Sequence, residues 1–163
     1  MNFLSNKEIN INPTVDHAQE LDHAAILEYV FALDQSDADH LNAQKCLDIL
    51  RGRERDFIGT DFENEYWYAV SLELFHLAQN FAIQMDTEAA ASRLREAIVA
   101  AEKSADIGWL HYIKGTSMYL ANDPDGLHAC IAQADENSNI LIRLEKGLRD
   151  RGGPDYQKDC FGI

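Results

Sequence analysis

The chain has 163 residues and sets 28 acidic side chains against 14 basic ones, a net charge of −14 with the histidines neutral. Hydrophobic residues at 46% and charged residues at 26% are ordinary globular usage, so composition excludes a disordered chain, and the length is that of one domain with room for a core. Phosphate binding rests on Lys and Arg, so this charge argues against nucleic acid and anionic membranes, and for a basic protein partner or plain solubility.

The acid is uneven. Residues 1–50 hold nine acidic side chains against Lys7 and Lys45, a net of −7, with Asp34, Asp37 and Asp39 the densest cluster. Cys46, Cys130 and Cys160 are far apart and form no CxxC pair, which points to a reducing compartment. No basic start followed by an apolar run opens the sequence, and no apolar stretch reaches the ~20 residues of a membrane helix. The expected location is the cytoplasm, and no cofactor is expected.

In chain order, residues 1–12 alternate weakly and predict a loose arm. Residues 13–151 read as a single helical domain, and residues 152–163 as a tail, draped or free. Pro13 suits a first helical turn and Asp16 a cap. The stretch from Asp16 to Leu33 is apolar nearly all round in its second half, as in a helix buried between neighbours. Residues 34–37 break it. Ser36 or Asp37 then caps a second helix through Leu50, with Leu41, Ala43, Leu47 and Leu50 inward. Residues 52–60, with two glycines and alternating charge, read as an irregular linker.

Thr60 or Asp61 caps the longest helix, which runs to Gln84. Trp67, Val70, Leu74, Leu77, Ala78 and Phe81 fall on one helical stripe, and Tyr68, Leu72, Phe75 and Ile83 on another. Two apolar faces imply two packed layers, or one layer and a ligand. Thr87 caps the next helix, Glu88 to Lys103, whose inward face is rich in alanine. Helices at Ile107–Leu120 and Pro124–Ala134 follow, joined by a tight Asn-Asp-Pro turn. The last helix, Asn137 to Asp150, carries Arg143, Lys146, Arg149 and Arg151 late, where cations suit its dipole, and Gly152-Gly153-Pro154 ends it. The expected fold is all-α: about seven helices in antiparallel hairpins, forming a solenoid or an irregular bundle.

Leu77-Ala78, Phe81-Ala82, Met85-Asp86, Ala90, Leu94 and Ala97 recur in kind 37 positions later as Lys114-Gly115, Met118-Tyr119, Asn122-Asp123, Leu127, Ile131 and Ala134. Paired helices with a period near ~34 mark tetratricopeptide repeats, and residues 70–135 resemble that family. Gly115 matches its small residue at the helix contact, and Leu127, Ile131 and Ala134 its second-helix packing positions. His111 and Lys114 depart from the pattern, standing where aromatic and leucine residues belong. The resemblance implies protein or peptide binding in a groove lined by Leu72, Phe75, Gln79 and Ile83, then Trp109, Tyr112, Thr116 and Tyr119. The competing expectation is that these side chains are plain core.

One pattern carries possible catalysis. Glu20–His23 and Glu73–His76 are both Glu-x-x-His on predicted helices, a spacing that puts two ligands on one face. Two such motifs help build the di-metal site of ferritin-like bundles. The opposing expectation is that they are solvated polar side chains. No nucleophile elbow or phosphate loop is present. The leading expectation is a non-catalytic, acidic, protein-binding module, in the manner of an immunity or inhibitor protein that neutralises a basic partner. Its contact residues would be Phe75, Trp109, Tyr112, Tyr119, Asp34, Asp37 and Asp39. Alternatives are a tetratricopeptide-like chaperone, a metal-dependent enzyme using the two motifs, and a homodimer that buries Trp109 and Tyr112.

Overall fold

The computed structural model describes residues 21–37 and 39–162. The expected arm at residues 1–12, and Pro13, Asp16 and Glu20, lie outside them. Among the described residues the fold is all-α, with no strand. The helices are α1 (His23–Gln35), α2 (Ala43–Gly52), α3 (Glu54–Phe57), α4 (Glu63–Ile83), α5 (Thr87–Ser104), α6 (Ile107–Leu120), α7 (Pro124–Ile131) and α8 (Ser138–Arg151). A 3-10 turn, Asp135–Asn137, precedes α8, and a π-helical turn, Gln157–Phe161, follows it.

One device repeats at the breaks around α5, α6 and α7. A residue in the left-handed region closes each break, and an aspartate then caps the next helix. Met85, Ala105 and Asn122 have φ of 62°, 61° and 58°. Asp86 accepts from the Ala89 amide at 3.0 Å, Asp106 from Trp109 at 2.8 Å and Asp123 from Gly126 at 2.9 Å. Asp86 therefore takes the capping role that the sequence assigns to Thr87. Each cap satisfies an orphan amide and is worth about 1 kcal/mol. The left-handed residue reverses the chain within two positions, which lays successive helices side by side.

Helix α4 is the centre of the fold. It packs along α5 and against α1 and α2, while α6 packs on α5, α7 and α8. Leu74 and Ala78 are buried on its expected stripe, and one continuous core runs from Ile26 through Leu47, Leu94 and Ile113 to Leu144. Gly115 lies where three helices crowd together. A Cβ there would stand 2.6 Å from Leu141 of α8 and 3.3 Å from Cys130 of α7. The small residue at this position is thus needed for close approach.

Two expectations are corrected, and of the two readings left open for the C-terminal tail the draped one holds. Leu41 is not inward: it is 72% exposed, because α2 begins only at Ala43. The expected linker at 52–60 contains the short α3, and Phe57 within it is fully buried between the rings of His23 and Tyr66. The C-terminal segment is draped and anchored rather than free. Tyr156 and Cys160 are buried, Gln79 Nε2 donates to the Tyr156 hydroxyl at 2.7 Å, and Tyr119 donates to Asp159 Oδ2 at 2.6 Å. Arg151 also pairs with Asp159, whose carboxylate lies against the bare backbone of Gly147. No described helix is long and apolar enough to cross a membrane.

Candidate functional site

A cavity of about 630 Å³ forms a groove between the α1–α2 turn, α4, α6 and the C-terminal segment. Its floor is aromatic. Phe75, Trp109 and Tyr112 meet with ring centroids 5.1 to 5.6 Å apart, in the tilted and edge-on geometries that aromatic rings prefer. These rings are 2%, 7% and 4% exposed, and the Trp109 indole donates to Ser71 Oγ at 2.7 Å. The rim is different: Leu41, Ile83 and Phe161 expose large apolar surface around the opening. Such a cluster of exposed apolar side chains is the usual mark of a binding surface. The two apolar stripes of α4 are thereby explained, one serving the core and the other, through Leu72 and Phe75, the groove.

Phe75, Trp109 and Tyr112 are both core and groove floor, so the two competing expectations for them converge. Tyr119 belongs to neither the groove nor its rim. It is fully buried, and its hydroxyl accepts from the Asp155 amide at 2.6 Å while holding Asp159. Because Trp109 and Tyr112 are buried within one chain, their burial gives no argument for a second copy.

The acidic cluster does not form a common surface. Asp34 is fully buried, which corrects its expected role as a partner contact. Asp37 caps the turn, accepting from the Asp39 and Leu41 amides at 3.1 Å each. Only Asp39 both stands exposed and lines the groove.

Asp34 instead organises a buried polar cluster in the groove wall. His40 Nδ1 lies 3.0 Å from Asp34 Oδ1 and 3.1 Å from Oδ2, and His76 Nδ1 lies 3.1 Å from Oδ1. The two imidazoles stack with centroids 3.6 Å apart. Burial alone would raise the Asp34 pKa, but hydrogen bonds and charge from His76, then His40, outweigh it and hold the carboxyl below its usual range. Gln35 Nε2 adds a long contact to Oδ2 at 3.4 Å. His40 sits in the left-handed region at φ 51°, a conformation uncommon for a residue with a side chain, and its carbonyl is held by Asn80.

Glu73 is the second buried acid here. It is fully buried, and neither carboxylate oxygen has a hydrogen-bond donor among the described residues. Burial first, then its neighbour Asp34, push its pKa up to about 9. The expectation that Glu73 and His76 are solvated is thus overturned. Their motif also fails to meet its sequence counterpart: His23 packs on Phe57 and Phe62 and joins no ligand cluster, while Glu20 lies outside the described residues. His76 joins Asp34 and His40 instead.

Sequence reading missed this cluster because its members come from a helix end, a turn and a helix middle. The available signals were an aspartate closing an apolar helix and a Glu-x-x-His on a helix with two apolar faces. Compared with protein-family models, curated proteins and solved structures, the chain matches none of them.

Proposed function

We infer that this protein is a non-catalytic binding module that receives apolar side chains of a basic protein partner in the groove over Phe75, Trp109 and Tyr112. The observation that carries the reading is that groove: an aromatic floor with an exposed apolar rim at Leu41, Ile83 and Phe161. The net charge of −14 supports a basic partner, since complementary charge accelerates encounter and suppresses wrong partners. Asp39 is the groove residue placed to meet a cation at the rim.

The groove's size favours an inhibitor over a chaperone. A volume of about 630 Å³ suits a few anchoring side chains rather than a long extended segment of client chain. The repeated turns at Asp86, Asp106 and Asp123 support the resemblance to helical-repeat binding proteins, in which helix hairpins present such a groove.

A displayed library of random peptides, selected on the immobilised protein, tests this. Leu72 is half-buried on the groove side of α4, so Leu72→Trp fills the groove with little effect on the core. The wild type is expected to enrich peptides combining Lys or Arg with aromatic or aliphatic anchors, and Leu72→Trp to lose them. No enrichment, or equal enrichment on both proteins, overturns the reading.

A further inference from the structure

We propose that Asp34, His40 and His76, with Glu73 beside them, form a binding site for one divalent transition-metal ion of the zinc and ferrous-iron class, open on one side to the groove. The inference goes beyond the binding module above and does not rest on it.

The donor geometry comes first. One ligand atom each from Asp34, His40 and His76 lie within 4.8 Å of one another, and no other such group occurs among the described residues. The two nitrogen-to-oxygen separations at Asp34 Oδ1 are 3.0 and 3.1 Å. Ligands bonded at roughly 2.0–2.2 Å to a common ion stand about 3–3.5 Å apart, so little movement is needed to admit one. The donor set selects the class of ion. Two imidazole nitrogens with carboxylate oxygen suit zinc and iron, whereas magnesium and calcium favour oxygen alone. Ligation through Nδ1 needs the imidazole tautomer that carries its proton on Nε2, which both rings can adopt.

Charge gives an independent argument. Two carboxylates are buried together, and among the described residues the ion pairs to Asp34 come from the imidazoles alone. Glu73 is the second observation that points to a ligand, since both its oxygens lack a donor among the described residues and its neighbour is another acceptor. Two acceptors facing one another need a proton or a cation between them. A divalent ion bound by Asp34 and two neutral imidazoles, with charged Glu73 beside it, leaves no net charge buried, which offsets the desolvation cost of isolated carboxylates. Access is also present, since His40 and His76 both line the groove. Glu73 and His76, three residues apart on α4, present both donors on one face, and the clamped turn brings His40 to them.

The test is calorimetric titration of chelator-treated protein with zinc, and with cobalt as a visible-absorbing substitute, in excess magnesium. One equivalent is expected to bind and to raise the thermal midpoint. His40→Asn keeps a residue suited to left-handed backbone, and Glu73→Gln keeps the shape of a buried side chain. Each is expected to weaken binding by about tenfold or more, while His128→Asn, at an exposed site paired with Glu145, leaves it unchanged. X-ray absorption of the zinc-loaded wild type should show two imidazoles in the shell, a readout that does not depend on any variant folding. Absence of stoichiometric binding, unchanged affinity in both cluster variants, or a shell with fewer than two imidazoles overturns the proposal. In the first case the cluster is held by protons alone.

Discussion

Replacing Tyr119 by phenylalanine removes one oxygen and should release the C-terminal segment. That hydroxyl donates to Asp159 Oδ2 and accepts from the Asp155 amide, each at 2.6 Å. The ring itself is buried and would stay so. The loss leaves the Asp155 amide without its acceptor and Asp159 dependent on Arg151. An orphaned, part-buried amide costs about 1–3 kcal/mol, and a middle value near 2 kcal/mol corresponds to roughly 30-fold in the local opening equilibrium. Native-state hydrogen exchange reads this directly. Amides of residues 155–161 should lose about that factor of protection, while α4 and α5 change little. Gln157 and Phe161 line the groove, so the same variant should weaken ligand binding. Equal exchange in both proteins, or an unprotected segment in the wild type, would refute the reasoning.

Acid should act on the same anchor. Burial by itself would raise the Asp159 pKa, but the Arg151 hydrogen bond and then Tyr119 hold it below its usual value. A depressed folded-state pKa contributes stability above the unfolded value of about 3.9, and that contribution disappears as pH falls through the folded value. Protection of residues 155–161 should therefore fall below pH ~4 and be insensitive to pH near neutrality. Ala105→Gly should stabilise the protein by about 1 kcal/mol in urea denaturation, since Ala105 occupies left-handed backbone at φ 61°. Gly115→Val should destabilise it by about 1–3 kcal/mol by forcing α6 off Leu141 and Cys130. All three cysteines are buried, so thiol reagents should label none rapidly in the native protein and three after unfolding.

The helical skeleton was largely legible because its punctuation is local. Asp106 and Asp123 cap the helices expected to follow them, and Pro124 takes the first turn it suits. Local signals misled at Leu41, where apolar character argued for an inward face but the turn before α2 is longer than the pattern implied. The groove was half legible. The second stripe of α4 and the Trp109–Tyr112 pair announced a surface with two duties, yet only packing shows that the same rings form both core and floor. Tyr119 was misassigned because helical spacing cannot tell which of two neighbours, groove or tail, a side chain meets. The Asp34–His40–His76 cluster joins residues 42 positions apart, and no periodicity encodes such a contact. The acidic run at Asp34, Asp37 and Asp39 looked like one feature. In three dimensions its members have separate tasks: a buried hub, a turn cap and a rim charge.

Photo-crosslinking tests the placement of the binding site most directly. A photoreactive side chain is placed at Leu72 in the groove or at Val99, which stands exposed on α5 beside a separate hollow. Each protein is then irradiated with the basic peptide recovered by selection. The account predicts a covalent adduct from position 72 and none from position 99. An adduct from position 99 alone, or equal adducts from both, would contradict it.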